Sequence, residues 1–524
     1  MMKRCCLILL SVMLGRVAYA QDSVRVDGER SPLSVGLEYN VEMQSTFSKG
    51  TTPLWLNANR YGLSSLANGN GYLRAGVFRP LSADSARHWG LGGGLDLAVP
   101  YNFTSDIVVQ QAFVELRWLR AVLAAGSKEY PMELKNNMLS SGSQTLGINA
   151  RPVPQVRLAL PEYWTLPFTN GWVHLKGHVA YGIMTDQRWQ HSFTRRESNY
   201  ANRVLYHSKA GYLKIGKDND DRPLSVELGI EMACTFGGTS YIADGNGGMK
   251  EVKNDTGLRS FWNAFWPGGS DKGETTYKNV EGNQLGSWLL RVNWDAEEWR
   301  LGVYADKYFE DHSGMFMLDY DGYGSGEEWQ DKKDNRWLLY DLQDIMLGAE
   351  LNLRRNGWIN NVVFEYICTK YQSGPIYHDH TQTIPDHIGG KDNYYNHSMY
   401  TGWQHWGQVI GNPLYRSPIY NDDGTIRVKD NRFKAYHLGF DGRPLPRLSY
   451  RVMASWQEGF GTYDDPYDKP QRNFSFLVEC RYAFKGRLLD GWSVKGGYGM
   501  DFGRILGNNY GLQITVAKNG RIRF

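Results

Sequence analysis

The sequence predicts an all-β protein, specifically a transmembrane antiparallel β-barrel, and three observations support that fold class. Apolar and polar residues alternate along many stretches of nine or more residues. After residue 20 the chain contains no apolar run of about 18 residues, so no membrane-spanning helix is expected. Residues 509–516 read NYGLQITV and the chain ends on Phe524, which is typical of the last strand of an outer-membrane barrel.

The N-terminus has the organisation of a secretory signal peptide over residues 1–20. Lys3 and Arg4 precede a short apolar run, and a small-x-small cleavage site ends at Ala20. Cleavage near Ala20 would leave residues 21–524 as the mature chain. We expect this chain to form one barrel, because no linker or change in composition divides it.

The composition excludes several functional classes. Without residues 1–20 the chain has 55 basic and 55 acidic residues, so no charge excess points to a nucleic-acid partner. The remaining cysteines, Cys234, Cys368 and Cys480, are too few for a disulfide scaffold. The 33 tyrosines and 18 tryptophans often end the alternating stretches, as expected for the aromatic rims of a membrane barrel.

The clearest alternating stretch is LSVELGIEMACTF, residues 224–236. Successive side chains of a strand point to opposite faces, so Leu228 and Glu227 belong to different faces. A soluble sheet is the alternative, but its strands average about 5–6 residues, whereas a membrane strand needs about 9–11. Length therefore favours a barrel with the leucine face in lipid and the glutamate face in the lumen.

Two segments interrupt the alternation. LWLNANRYGLSSL, residues 54–66, is expected to be a short helix or loop lying inside the structure. A much longer segment, at about 372–430, contains several prolines and the pair Gly389-Gly390, which indicate loop. We predict that it is a long extracellular surface loop, since long loops of bacterial barrels face outward.

The long loop contains a cluster of histidines and aspartates that could bind a metal ion. His378, Asp379, His380 and His387 offer imidazole and carboxylate groups, which suit zinc. Their spacing matches no established zinc pattern. A hydrogen-bonded polar network and a glycan-contacting loop are the alternatives.

Further along, the loop combines aromatic and polar residues. Aromatic rings stack on the apolar faces of sugars, and polar groups satisfy sugar hydroxyls. The candidate glycan-binding residues are Tyr394, Tyr395, Trp403, His405 and Trp406. An aromatic rim or a folded loop core would explain the same composition.

Several long stretches together resemble one family, the Wzi-type capsule-assembly proteins of Gram-negative outer membranes. The stretches are PLWLNANRYGLSSL (53–66), QQAFVELRWLRAVLAAGSKEYPMEL (110–134), KYFEDHSGMF (307–316), QSGPIYHDHTQTIPDHIGGKDNYYNHSMYTGWQHWGQVIGNP (372–413), SPIYNDDG (417–424) and NNYGLQITV (508–516). The resemblance implies a barrel of about 18 strands with an occluded lumen. It also implies a lectin-like role in holding exported polysaccharide.

The expected function is therefore that of an outer-membrane protein, in a Gram-negative bacterium, that binds and anchors capsular or exported polysaccharide. We expect no enzymatic activity, no cofactor and no nucleic-acid partner. The expected partners are polysaccharide, outer-membrane lipids and the barrel assembly machinery, and the expected state is a monomer. The alternatives are a secreted glycan-processing enzyme that uses carboxylates such as Asp379 and Glu310, and an outer-membrane porin.

Overall fold

The computed structural model describes residues 36–85, 87–217, 222–268, 280–310, 316–339, 342–377, 382–383 and 388–522. These residues form a closed sheet of 18 antiparallel strands, which confirms the predicted fold class. The strands are β1 (Glu38–Lys49), β2 (Gly69–Arg79), β3 (Trp89–Tyr101), β4 (Val108–Trp118), β5 (Ala121–Ser127), β6 (Gln155–Thr165), β7 (Val173–Ile183), β8 (Leu205–Ile215), β9 (Leu224–Phe236), β10 (Asn283–Asp295), β11 (Trp299–Glu310), β12 (Ile345–Leu353), β13 (Asn361–Cys368), β14 (Phe433–Leu445), β15 (Leu448–Gly461), β16 (Pro466–Ala483), β17 (Trp492–Gly503) and β18 (Asn509–Arg521).

The sheet closes by pairing its last strand with its first. Glu38 lies opposite Arg521 at one end of the β1–β18 pair, and Lys49 lies opposite Tyr510 at the other. The C-terminal NYGLQITV stretch thus supplies the closing strand. Closure removes the unpaired edges that an open sheet would expose.

Smaller elements lie in the connections. The helices are α1 (Leu54–Asn57), α2 (Gln187–Thr194) and α3 (Leu258–Phe265), with 3-10 turns at Leu81–Asp84, Pro167–Thr169, Gly326–Glu328 and Pro418–Tyr420. Short strands occur at Tyr200–Asn202, Thr239–Ala243, Met249–Lys253, Phe316–Tyr320, Asn335–Leu339, Ser373–Tyr377, Ile388–Lys391, Gln404–His405 and Gln408–Val409. Among the described residues, no helix has both the length and the hydropathy that crossing a membrane requires.

The two ends of the barrel differ in the lengths of their connections. One end, called here the short-turn end, carries turns such as 119–120, 296–298 and 446–447. The other, called the long-loop end, carries connections that include 128–154, 184–204, 237–282, 311–344 and 369–432. This asymmetry is typical of bacterial membrane barrels.

The two faces of the wall follow the predicted alternation. On β9, Leu224 and Leu228 are 50 % and 44 % exposed on the outside, whereas Glu227 and Glu231 are 7 % and 0 % exposed on the inside. The predicted orientation of this strand is confirmed. An exterior of exposed leucines is stable only against lipid, and a polar interior suits the lumen.

The end of β9 departs from this alternation. Cys234 and Phe236 belong to the outer face but are buried, because helix α3 packs over them through Ala264 and Phe261. A strand pattern cannot reveal such a cover, since the covering helix lies more than twenty residues further along the chain.

Aromatic side chains mark both rims of the outer surface. Trp89 and Trp118 stack with ring centroids 6.0 Å apart near the short-turn end. Phe47, Tyr101 and Phe502 are exposed near the long-loop end. Such rings suit the boundary between lipid and water because they combine an apolar body with polar or polarisable edges.

The core of the molecule lies inside the barrel. Four connections from the long-loop end fold into the lumen, and these segments, 51–66, 130–153, 184–204 and 393–431, are called the plug. Their largest fully buried side chains include Trp55, Leu56, Leu139, Tyr394, Tyr395, Trp403 and Tyr415. The predicted inner segment at 54–66 is confirmed, because α1 is buried at all four positions.

The prediction of a surface loop at 372–430 is wrong for most of the described part of that loop. From Tyr394 to Ile419 most residues are buried, and the chain runs inside the barrel. The physical reason is that the loop is rich in aromatic side chains. Packing inside the barrel removes their apolar surface from water, which is favourable. The loop thus fills the lumen instead of covering the surface.

Candidate functional site

Carboxylates on the barrel wall hold the plug by its backbone. Glu365 of β13 accepts the N–H of Ser141 at 2.8 Å, and Glu231 of β9 accepts that of Leu146 at 3.2 Å. Further pairs of this kind join Asp306 with Gln144, Asp501 with Leu54, and Glu310 with Tyr395. Each carboxylate satisfies a backbone N–H that would otherwise be buried without a partner, at a cost of about 1–3 kcal/mol. These bonds attach the plug to several strands at once.

A buried ion pair adds to this attachment. The ammonium of Lys135, in the plug, lies 2.8 Å from the carboxylate of Asp306 on β11, and both side chains are almost fully buried. Removing one partner of such a pair leaves an uncompensated charge and costs about 3–5 kcal/mol. The wall and plug are therefore matched in charge as well as in shape.

Glu310, a carboxylate considered for an enzymatic role, belongs to the same attachment. It accepts the hydroxyl of Tyr308 at 2.6 Å and the N–H of Tyr395 at 2.7 Å. Its side chain is 7 % exposed, which leaves little access for a substrate. Asp379, the other carboxylate considered, lies outside the described residues. Glu310 acts here as a plug anchor.

Tyr394, Tyr395 and Trp403, predicted to stack on sugars, are core residues of the plug. Their exposures are 2 %, 0 % and 0 %. The Tyr395 ring lies 3.9 Å from that of Tyr415, and the indole N–H of Trp403 donates to the carbonyl of Thr145 at 2.9 Å. In this structure none of the three rings presents a face to a sugar, so the prediction is corrected for them. Aromatic packing within segment 393–431 and against Tyr206 and Tyr308 of the wall accounts for their presence.

His405 is likewise buried, at 1 % exposure. Its Nδ1 lies 2.9 Å from the carbonyl of Arg151, and its Nε2 lies 3.1 Å from the hydroxyl of Thr185. Burial lowers the pKa of His405 below its usual value, so the ring is neutral near pH 7. A neutral, fully bonded imidazole joins two plug segments and cannot contact a glycan directly.

Trp406 differs from the other candidates because its indole is partly exposed. It lies with Gly407 in the two-residue turn between the short strands Gln404–His405 and Gln408–Val409. Both turn residues have positive φ, 56° at Trp406 and 80° at Gly407. A bulky residue rarely adopts this conformation, and such strain often marks a functional position.

The surroundings place Trp406 near the long-loop end. The guanidinium of Arg151 lies 4.3 Å from the centre of the indole ring. The same guanidinium donates to the hydroxyls of Ser105 and Thr104, both at 2.9 Å, in the connection that leaves β3. Arg151 and Trp406 therefore form a stacked pair at this mouth of the barrel, which is called here the mouth pair.

Sequence reasoning missed Arg151 and a second supporting residue, Asp186. The carboxylate of Asp186 accepts the side-chain amide of Gln404 at 3.0 Å and the backbone N–H of Trp406 at 3.2 Å. A usable signal for Arg151 existed, because residues 128–154 lack strand alternation and could have been assigned to the lumen. No local pattern indicated Asp186.

The candidate metal or polar-network residues cannot be placed. His378, Asp379, His380 and His387 all lie outside the described residues. Within the part of the chain that the structure describes, no group of three or more histidine, cysteine, aspartate or glutamate side chains could hold a metal ion. The metal hypothesis stays a prediction.

The fold and the filled lumen define the class of protein: a plugged transmembrane β-barrel. No protein-family model matches the sequence, and no curated protein matches it. The chain is similar in structure to Wzi of Escherichia coli, described as an outer membrane protein involved in group 1 capsule assembly and a carbohydrate-binding β-barrel. The TM-score is 0.55 at 12 % identity, covering 93 % of this chain and 85 % of that one.

Two further solved structures share the barrel more distantly. OprD of Pseudomonas aeruginosa aligns with a TM-score of 0.44 at 10 % identity, covering 94 % of this chain and 96 % of its own. OccAB4 of Acinetobacter baumannii aligns with a TM-score of 0.43 at 9 % identity, covering 94 % and 100 %. The similarity to Wzi, at 12 % identity, establishes the fold alone, and function must be argued from this chain's own residues.

Proposed function

We propose that this protein resides in the outer membrane of a Gram-negative bacterium and retains exported or capsular polysaccharide at the cell surface. In such barrels the long loops face outward and the short turns face the periplasm. The mouth pair of Arg151 and Trp406 then lies on the outer side. The protein acts as a lectin-like anchor without catalysing a reaction.

The observation that carries this proposal is the plug. A diffusion porin needs a continuous aqueous path, whereas here three of the four inward segments are bonded to the wall by buried carboxylates: Asp501, Glu231 and Glu310. A lumen filled in this way favours a protein that holds a ligand at its mouth over one that conducts it. The porin alternative is tested directly by ion conductance.

The mouth pair offers the chemistry that a sugar requires. An indole face stacks on the apolar C–H face of a sugar. Arg151 is 9 % exposed and already donates to Ser105 and Thr104, so it supports the ring without itself contacting the sugar. Arg151 holds one side of the Trp406 ring, so the ring is oriented before a ligand arrives. Pre-orientation reduces the entropy that binding would otherwise cost.

The experiment is to replace Trp406→Ala and measure the polysaccharide that cells retain and release. A stacked tryptophan at a binding hot spot contributes about 2 kcal/mol, so affinity should fall roughly thirtyfold and polysaccharide should appear in the medium. Trp262→Ala is the matched control, because Trp262 is 62 % exposed on α3, outside the barrel. Normal retention by Trp406→Ala, at normal barrel abundance, would exclude the mouth pair as the binding site.

Location is tested separately. The full chain should fractionate with the outer membrane and migrate in detergent gels with heat-dependent mobility, as folded barrels do. Recovery in the periplasm or the culture medium would contradict the proposal. Stepwise single-channel conductance of the purified wild-type protein would instead support the porin alternative.

A further inference from the structure

The short-turn end contains a cavity that the proposed function does not use. It has a volume of about 690 Å³ and lies between the 354–360 turn and strands β14 to β17. Six cationic side chains line it: Arg354, Arg355, Arg443, Arg451, Arg481 and Lys495. Only two carboxylates, Asp441 and Glu479, join them in the lining. This basic cavity is called here the vestibule.

The positive charge of the vestibule is only partly compensated. Outside the lining, Arg354 pairs with Asp295, and Arg355 pairs with Glu297 and Glu298. Glu479 is shared by three cations: it lies 3.0 Å from Arg60, 3.3 Å from Lys495, and also pairs with Arg451. Among the residues that the structure describes, no carboxylate forms an ion pair with Arg443 or Arg481. Several like charges facing one cavity raise its potential and attract anions.

A second, smaller cavity extends the basic surface along the wall. It measures about 210 Å³ and shares Arg354 with the vestibule. Arg291 and Arg300 also line it, together with Glu350, which pairs with Arg291 at 2.8 Å. The Nε of Arg300 is buried and has no hydrogen-bond partner among the described residues. A buried donor without a partner costs about 1–3 kcal/mol unless a ligand or water satisfies it.

The plug closes the vestibule on its inner side. Met138, from plug segment 130–153, lines the cavity, and its carbonyl accepts a hydrogen bond from Arg451 at 2.8 Å. Arg443 and Arg481 are exposed, so the cavity opens at the short-turn end. A ligand can therefore reach the vestibule from the short-turn end.

We propose that the vestibule binds a carboxylate-bearing saccharide of the uronic-acid class from the periplasmic side. The planar donors of arginine match carboxylates in pairs, which a neutral sugar cannot exploit. A volume of about 690 Å³ lies within the usual range for small-molecule sites and far exceeds the need of one inorganic ion. The adjoining cavity gives room for a second acidic unit.

This inference rests on the proposed function for its biological setting but concerns a separate site. The mouth pair would hold polysaccharide outside, whereas the vestibule would recognise an acidic saccharide inside. The two sites lie on opposite sides of the plug, so the residues of one can be mutated without changing the other.

The test uses the full-length protein in detergent with a short oligogalacturonate as the probe, measured by calorimetry. A malto-oligosaccharide of equal length and inorganic phosphate are the comparison ligands. We expect oligogalacturonate to bind, to bind more weakly as salt rises, and to bind at least tenfold more tightly than the neutral sugar.

The variant Arg443→Gln/Arg481→Gln should weaken this binding about tenfold or more. Arg472→Gln is the matched control, because Arg472 is also on β16 but pairs with Glu458 outside the vestibule. Equal binding of the neutral sugar, salt-independent binding, or unchanged binding by the double variant would overturn the inference. Tighter binding of phosphate than of oligogalacturonate would also overturn it, by assigning the site to phosphate.

The outcomes separate the two proposals. If Trp406→Ala releases polysaccharide while oligogalacturonate fails to bind, the proposed function stands and the vestibule inference fails. If oligogalacturonate binds through Arg443 and Arg481 while Trp406→Ala cells retain polysaccharide, the vestibule inference stands alone. The salt dependence of wild-type binding tests the vestibule even if the double variant does not fold.

Discussion

The backbone N–H of Ser141 donates to the carboxylate of Glu365 at 2.8 Å, joining residues that are 224 positions apart. The same carboxylate accepts the hydroxyls of Ser140 and Tyr304, each at 2.5 Å. One wall residue thus bonds both a plug turn and β11, the next strand but one in the sheet.

Glu365→Ala should loosen the plug while leaving the barrel closed. The change removes an acceptor shared by several buried donors, and we expect the free energy of unfolding to fall by about 3 kcal/mol. The measurement is ion conductance in planar bilayers, which should rise from none to detectable openings. Glu458→Ala is the control, since Glu458 pairs with the exposed Arg472 and such pairs contribute about 0–1 kcal/mol. Silent bilayers with Glu365→Ala would show that other anchors suffice.

Leu228→Arg should destabilise the barrel more than Glu227→Gln. Leu228 is 44 % exposed on the lipid face near the middle of β9, where arginine costs about 2–4 kcal/mol. Glu227 faces the lumen and accepts the hydroxyl of Tyr163 at 2.6 Å. Replacing its carboxylate by the amide of glutamine should lower the free energy of unfolding by about 1 kcal/mol. Urea titration of refolding into vesicles measures both. The reverse order would mean that the outside of β9 does not meet lipid.

Trp403 and Trp406, two tryptophans of the same plug segment, should separate stability from binding. Trp403→Ala removes a ring that is 0 % exposed and should cost about 3–5 kcal/mol, lowering barrel abundance and thermal stability. Trp406→Ala should leave thermal stability nearly unchanged and reduce only polysaccharide retention. Thermal unfolding and retention are measured on the same two variants. Equal losses of stability would contradict the assignment of Trp406 to the mouth.

Acidification should weaken the plug through His397. Burial lowers the pKa of His397 to about 4, below the unfolded value of about 6.5. The unfolded state therefore binds more protons between these values, and stability falls as pH drops from about 6.5 toward 4. The full contribution of His397 is at most about 3 kcal/mol, and His397→Gln should remove that part of the dependence, leaving the part due to His405, whose pKa is also lowered. Denaturant unfolding at several pH values measures it, and an unchanged slope in the variant would exclude His397 as the cause.

Metal removal should have no effect on polysaccharide retention. If His378 and His380 only donate and accept hydrogen bonds, the double change to alanine should reduce retention less than Trp406→Ala does. A chelator added to wild-type cells should release nothing. Release that is reversed by added zinc would establish the metal site instead.

The strands could be read from the sequence because their cause is local. Lipid outside and polar groups inside require each strand to alternate at every step, so LSVELGIEMACTF shows its faces directly. The NYGLQITV motif at 509–516 likewise indicated the C-terminal strand of an outer-membrane barrel. Residues 54–66 were recognisable as an inner segment because they break that alternation beside long strands.

The direction taken by the 372–430 loop was not visible, and the reason is physical. Aromatic and polar residues in one loop suit either a sugar-binding surface or a packed interior, because apolar rings are stabilised both by stacking on sugars and by packing in a core. Local composition cannot choose between them. The choice depends on partners from distant parts of the chain, such as Thr145 for Trp403, 258 positions away.

By itself the sequence determined the barrel, the inner and outer faces of its wall, and the existence of a long irregular loop in its C-terminal half. Only the tertiary structure decided that this loop fills the lumen, that Trp406 reaches the mouth beside Arg151, and that cations gather beneath the plug. Alternation within a strand follows from lipid on its outer side and a polar lumen on its inner side. Anchors such as Glu231 and the vestibule arginines acquire their roles only when barrel closure brings distant strands around the same space.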